Sequence, residues 1–365
     1  MRHYKLAVIP GDGIGTEVIP AGLEVLAAVA EAHGGFRVET QNFDWGSERF
    51  VKNGAMMPQD GIQTLERGGF DGILLGPVGD RRVPDHVSLW GLLIPIRQGF
   101  DQYINLRPMR LLPGIATPLA GKGPKEIDMV CVRENTEGEY AGVGGRLRPG
   151  TAEEIAIQAT VFTRMGTERV MRYAFQYART HSRKKITSAT KSNAMQYNMV
   201  FWDDVFRAVA VQYPGIQYEQ QLVDSLTARM VAKPESLDVI VGSNLFGDIL
   251  TDLGAAISGS MGIAPSANLN PERKFPSLFQ AIHGTAPDIA GRGIANPLGT
   301  VWSLQLMLDH VGEGEAAAML MSAIERYAAD SRTKTADLGG NATTRDATDA
   351  LCAQLRRQDA SKSGA

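Results

Sequence analysis

Two aspartates four residues apart, Asp248 and Asp252, stand in Asn244-Leu-Phe-Gly-Asp-Ile-Leu-Thr-Asp-Leu253. The run before them, Leu237–Gly242, reads as a buried strand, so Asn244 is expected to cap a helix at that strand's carboxyl end. At about 3.6 residues per turn both acids fall on one helix face, and Leu245, Ile249, Leu250 and Leu253 cover an apolar side. Such a pair suits a hard divalent cation, and it is also what the positive end of a helix dipole favours. Asp224 closes another strand-like run, Gln217–Val223, and is a candidate third metal oxygen.

Three arginines form a second group. Arg97 and Arg107 are ten residues apart, and Arg133 ends the apolar run Met129–Arg133. Converging guanidiniums grip a di- or tricarboxylate through paired hydrogen bonds. Dispersed, they would be surface ion pairs worth at most about 1 kcal/mol each. Tyr140 follows in a polar loop, where a phenol can hold its proton until a developing enolate or alkoxide needs it. Lys191 directly follows Lys185–Thr190, and a lysine desolvated there among cations can accept a proton.

Two glycine-rich segments compete for a nucleotide. Gly11-Asp-Gly-Ile-Gly15 lies between a strand and a helix but lacks the G-x-G-x-x-G spacing of a dinucleotide turn. In the segment His283–Pro297, glycines such as Gly284 allow close backbone approach. Asp288 there can accept hydrogen bonds from a ribose diol and repel a 2′-phosphate.

The elements that must position these groups alternate. Leu6–Pro10, Phe36–Phe43, Phe70–Leu75, Met129–Arg133, Lys185–Thr190 and Gln217–Val223 read as strands. Glu17–Ala32, Gln59–Arg67, a stretch near Arg169–Arg179, Asn193–Val211, Val301–His310 and Ala316–Asp330 read as helices. Such alternation predicts an α/β fold with a mostly parallel sheet. Stretches 76–86, 108–124 and 284–299 read as loops, and the tail beyond about 357 as frayed.

A chain of 365 residues has room for two domains. Its net charge of −3 gives no field to hold nucleic acid or an anionic membrane, so an anionic ligand must be met by placed arginines. Two cysteines, Cys131 and Cys352, lie in no metal spacing and fit a reducing cytoplasm. No stretch matches a signal peptide or approaches the roughly 20 apolar residues of a membrane span. A cytoplasmic protein is expected.

Together the motifs Gly11–Gly15, Asn105-Leu-Arg-Pro108, Val132-Arg-Glu134, Thr190-Lys-Ser-Asn193, Asn244–Leu253, 283–297 and Asp337-Leu-Gly-Gly340 resemble the β-decarboxylating dehydrogenases that include isocitrate and 3-isopropylmalate dehydrogenases. The resemblance runs from Leu6 to about Thr344. It implies a two-domain fold, not a Rossmann fold, with residues 1–102 and 258–365 binding the cofactor and 103–257 forming the dimer, substrate and metal domain. It implies NAD as cofactor, with His283, Gly284, Asp288 and Asn296 around adenosine and Asn193 near the nicotinamide. Arg97, Arg107 and Arg133 would bind a malate-like moiety, and Asp248 and Asp252 would hold Mg²⁺ or Mn²⁺. Asp224 and Lys191 would reach in from the neighbouring subunit of a homodimer. Lys191 would be the base at the substrate hydroxyl and Tyr140 the acid that protonates the enol.

The run Val83–Ile96 decides the substrate branch. By the resemblance Trp90 would occupy space where a C3 substituent should lie, and Asp85-His-Val-Ser-Leu-Trp-Gly91 with Phe43-Asp-Trp-Gly-Ser47 resembles the tartrate and D-malate dehydrogenase branch. That branch implies oxidative decarboxylation of D-malate to pyruvate, activity on tartrate, and use of a monovalent cation such as K⁺. A 3-isopropylmalate dehydrogenase is the alternative, with Leu92, Leu93 and Ile94 as apolar surface. A metal-dependent hydrolase or phosphate-binding module is a remote one, because it leaves Lys191, Tyr140 and the arginines without coordinated roles.

Overall fold

The computed structural model describes residues 1–362. In chain order the strands are β1 (Arg2–Ile9), β2 (Phe36–Asn42), β3 (Gly72–Leu75), β4 (Ile104–Arg110), β5 (Asp128–Glu134), β6 (Gly144–Leu147), β7 (Ile155–Gln158), β8 (Lys185–Thr190), β9 (Gln217–Leu222), β10 (Val239–Gly242), β11 (Pro265–Leu269) and β12 (Ser277–Ala281). The chain divides into two compact units, one of residues 1–102, 111–120 and 255–365, the other of 103–110 and 121–254.

In the first unit the strand order is β2-β1-β3-β12-β11, parallel except for the β11–β12 pair. Strand β3 is buried along its whole length, as a parallel strand covered on both faces must be. Helix Gly15–His33 packs against Leu298–Val311 and Thr344–Lys362, helices from the other end of the sequence. The segment 111–120 is stitched to this unit where Thr117 Oγ1 donates to the carbonyl of Ile257 at 2.6 Å.

The Gly11–Gly15 turn is a packing device and not a phosphate cradle. Gly11 and Gly13 have φ of +68° and +55°. A Cβ on them would lie 2.3 Å from the Pro77 carbonyl oxygen and 2.2 Å from that of Thr285. Between them the buried Asp12 carboxylate accepts from Ser47 N (2.8 Å), Ser47 Oγ (2.6 Å) and Gly79 N (2.8 Å).

In the second unit the order is β4-β5-β10-β8-β9, parallel except for β4–β5. Strands β6 and β7 form a separate hairpin exposed along its length. The mostly parallel α/β architecture is borne out within each unit.

Several boundaries differ from expectation. The helix expected from Asn193 begins at Asn198, because Ala194 N and Met195 N both donate to the Lys191 carbonyl and hold a tight turn. Asp224 is not the end of a strand but lies in the first turn of helix Val223–Ala232. The helix Thr344–Lys362 reaches into the tail expected to fray, and 363–365 lie outside the described residues.

Replacing Asp12 with Ala would leave two buried N–H groups and a hydroxyl without an acceptor. It should destabilise the protein by about 2–4 kcal/mol, read as a lowered midpoint in urea unfolding.

Candidate functional site

The site of the second unit is built where β4 and β5 meet helix Asn244–Ile257. The antiparallel register pairs Asn105 with Arg133 and Arg107 with Cys131. Opposed side chains share a face, and positions two apart along a strand do also. Arg107 and Arg133 are therefore on one face, both buried. Burial pushes the Cys131 thiol between them up to about 12, so it remains protonated and offers no negative charge.

The helix approaches that face closely because of two glycines seven residues apart. A Cβ on Gly247 would lie 2.5 Å from Arg133 Cγ, and one on Gly254 would lie 2.1 Å from the Met109 sulfur. The helix is capped by Ser243, whose Oγ accepts from Phe246 N at 3.3 Å, and not by Asn244 as expected. Asn244 is buried and acts as a stitch. Its side chain donates to Glu134 Oε2 (3.0 Å) and to the Glu137 carbonyl, and accepts from Glu139 N (3.2 Å). The loop carrying Tyr140 is thereby fixed to the start of the aspartate helix.

Arg133 Nε donates to the Asn244 carbonyl (2.7 Å) and one terminal nitrogen to Asn135 Oδ1 (2.7 Å), while the other lies 3.7 Å from Asp248 Oδ1. Arg107 donates to Asp248 Oδ1 (3.0 Å) and Thr251 Oγ1 (2.6 Å). Its Nε is buried with no acceptor among the described residues. Burial foremost, then Arg133, lowers the basicity of Arg107, but a guanidinium stays charged at neutral pH.

Asp252 lies one turn beyond Asp248. Burial and then the Asp248 charge push its carboxyl above the usual range, against the opposing pull of Arg107 and Arg133. No donor reaches it among the described residues. Two mutually repelling carboxylates, one without a hydrogen bond, fit a divalent cation. Tyr140 Oη donates to Asp248 Oδ2 at 3.3 Å, and the Arg133 guanidinium lies 5.4 Å from its ring centre. Burial, then Asp248, raises the phenol's pKa, so Tyr140 holds its proton at neutral pH.

Lys191 is paired with Asp224, Nζ to Oδ1 2.7 Å, and is not set among cations. That lysine holds the Asp224 carboxyl below its ordinary range. Among the described residues no three acids or histidines form a metal cluster, so Asp224 does not join Asp248 and Asp252 within one chain. Asn193 is exposed beside this pair.

The other candidates belong to the first unit. Arg97 is buried on helix Ile94–Gly99. Trp90 is about 41% exposed on a π-turn, Leu89–Leu93, while Leu92, Leu93 and Ile94 are buried. The apolar surface expected of those three side chains is thus spent in the core. Around the 283–297 loop, Asn296 Nδ2 donates to Asp337 Oδ2 (3.0 Å), and Asp288 and Gly284 are exposed. His283 Nε2 is buried without a partner, and desolvation keeps that imidazole neutral. Asp337 was read only as part of a motif, and its contact with Asn296 spans 41 positions, beyond any local pattern. No described helix is long and apolar enough to cross a membrane.

Comparison with known proteins follows the same lines. Residues 5–351 match the isocitrate/isopropylmalate dehydrogenase family. The chain is 53% identical over 352 residues to a probable tartrate dehydrogenase/decarboxylase of Agrobacterium vitis, covering 96% of each. It is 51% identical over 364 residues to the D-malate dehydrogenase (decarboxylating) of Escherichia coli K12, covering 98% of this chain and 100% of that one. Among solved structures it is similar to an isocitrate dehydrogenase from Methylococcus capsulatus, with a TM-score of 0.85 at 33% identity, over 97% of this chain and 99% of that one.

Because the folded state disfavours ionised Asp252, this group withdraws stability as pH rises through its raised pKa, and the loss is complete above it. Asp252→Asn should therefore raise the melting temperature of the metal-free protein slightly at pH 7. Mn²⁺ should raise the melting temperature of the wild type and raise it much less in the variant, as scanning calorimetry with and without the ion will read.

Proposed function

The chain belongs to the isocitrate/isopropylmalate dehydrogenase family, and we propose that it oxidatively decarboxylates D-malate to pyruvate and carbon dioxide with NAD, and also acts on tartrate. A nicotinamide cofactor and a divalent metal are typical of the family. The observation that carries the substrate choice is the exposed indole of Trp90, next to Leu89, in a run whose Leu92, Leu93 and Ile94 are turned into the core and withdrawn from any C3 alkyl group. The full-length likeness to enzymes named for D-malate and tartrate supports the same choice.

Arg107 and Arg133 would receive the substrate carboxylates, since both are buried and charged and Arg107 Nε still has a hydrogen bond to give. Arg97 and Trp90 are assigned to substrate by the resemblance. Asp248 and Asp252 would hold Mg²⁺ or Mn²⁺, with Asp224 of the partner subunit as a further ligand, and a K⁺ requirement belongs to the same proposal. Bound, the dication would polarise the 2-hydroxyl and its carboxylate, and the nicotinamide would take a hydride from C2.

Lys191 of the partner subunit would accept the hydroxyl proton as the keto group forms. The carboxylate on C3 is then β to a carbonyl, and its C–C bond breaks to release carbon dioxide and leave an enolate. Tyr140, which keeps its proton at neutral pH, would deliver it to C3 and complete pyruvate. His283, Gly284, Asp288 and Asn296 are assigned to the adenosine half of NAD and Asn193 to the nicotinamide, with exposed Asp288 disfavouring a 2′-phosphate. A homodimer is supported by the β6–β7 hairpin, whose Leu147, Ile155 and Ile157 are each about half exposed, and by the separation of the Lys191–Asp224 pair from the other two aspartates.

Steady-state kinetics with NAD and Mn²⁺ on D-malate, the tartrates, 3-isopropylmalate and isocitrate tests the reading. The kcat/KM should be highest on D-malate or a tartrate, and a higher value on 3-isopropylmalate would overturn it. Tyr140→Phe should slow pyruvate formation by roughly 10²-fold or more while hydride transfer is less affected. Oxaloacetate would then accumulate, detectable by coupling to a malate-forming reaction.

A further inference from the structure

A cavity of about 730 Å³ lies in the first unit at the carboxyl ends of β1 and β2. It is walled by helix Gly15–His33 on one side and by residues 42–53 on the other. Its size is that of a small-molecule site. It is not the pocket assigned to adenosine. Ile14 and Val18 pack against Ala295 near the 283–297 loop, whereas Ile19, Pro20 and Leu23 line this cavity. At about 100° per residue these two sets lie on opposite faces of the helix.

The chemistry of the lining is uneven. Phe43 stands with its ring centre 4.7 Å from that of buried Trp45, giving an aromatic wall that faces Pro20 and Leu23 across the cavity. On helix Ser47–Asn53, Glu48 is engaged by Lys52 (3.3 Å) and by Arg82 (3.0 Å). Asp12 is engaged by Ser47 and Gly79. Arg49, only partly exposed, is left over. Its Nε is shut off from solvent and meets no acceptor among the described residues. A shielded cationic donor without a partner is unfavourable unless something else supplies the acceptor. Asp44 is exposed on the rim and makes no contact with it.

We propose that this cavity is a second ligand site, separate from the carboxylate–arginine cluster, that takes an organic anion with a flat apolar body. The anionic group is met by the terminal nitrogens of the Arg49 guanidinium, and the body lies between Phe43 and the Pro20–Leu23 turn. The proposal does not depend on which hydroxy acid the enzyme oxidises.

The probe is 1-anilinonaphthalene-8-sulfonate, an aromatic sulfonate, titrated into the protein and followed by the rise of its own fluorescence. The expected result is saturable binding that survives saturating NAD, is about tenfold weaker in Arg49→Met and largely recovers in Arg49→Lys. Leu23→Trp, which fills the cavity, should abolish it. Urea midpoints close to wild type show that each variant is folded. Binding insensitive to these substitutions, displacement of the dye by NAD, or no saturation up to about 1 mM dye, beyond which affinity is weaker than about 4 kcal/mol, would overturn the proposal.

Discussion

The second unit turns on one contact between a buried guanidinium and the first turn of a helix. Arg133 gives its Nε proton to the Asn244 carbonyl while its alkyl stem occupies the space that a Cβ on Gly247 would take. A cation beside a helix N-terminus is opposed by the backbone dipoles, and burial opposes it again. Three acceptors offset this: the Asn244 carbonyl, the Asn135 amide oxygen and, more distantly, the Asp248 carboxylate. Arg133 can therefore remain charged where water is excluded, and the same contact fixes the azimuth of the aspartates.

Around that contact the charges nearly cancel, two guanidiniums against two carboxylates, but not in pairs. Arg107 and Arg133 both bond or approach Asp248, while Asp252 feels them only through space, against the Asp248 charge, and has no hydrogen bond among the described residues. The cluster thus has a surplus donor at Arg107 Nε and a surplus acceptor at Asp252. A metal-chelated dicarboxylate carries the complement of each. Burial, and after it the Asp248 charge, suppresses the acidity of Tyr140, so the helix that carries both aspartates also helps to hold that phenol in its protonated form.

Much of this was legible in the residue pattern, because the i,i+4 aspartates, the strand-ending arginine and the lysine after β8 depend on local periodicity alone. What was not legible depended on distance along the chain. Asn244 looked like a cap, and only its contacts with Glu134 and Glu137, more than 100 positions away, reveal a stitch. Leu92, Leu93 and Ile94 looked available to substrate until the π-turn set their direction toward the core. Strands β11 and β12 went unseen, since Pro-Ser-Ala-Asn-Leu and Ser-Leu-Phe-Gln-Ala carry neither β-branched residues nor clean alternation. The β6–β7 hairpin was hidden for a related reason: it is exposed throughout and buries no stripe within its own chain.

The way the first unit is assembled from both ends of the polypeptide sets the order of biosynthesis. When its opening hundred residues leave the ribosome, β1, β2 and β3 can pair, but β11 and β12 and the helix Thr344–Lys362 that covers Gly15–His33 do not yet exist. The second unit, drawn almost wholly from one continuous stretch, can close first. For the duration of some 250 further residues the nascent chain must carry an uncovered apolar flank. An apolar flank left open over such an interval is the condition under which nascent chains aggregate or meet chaperones.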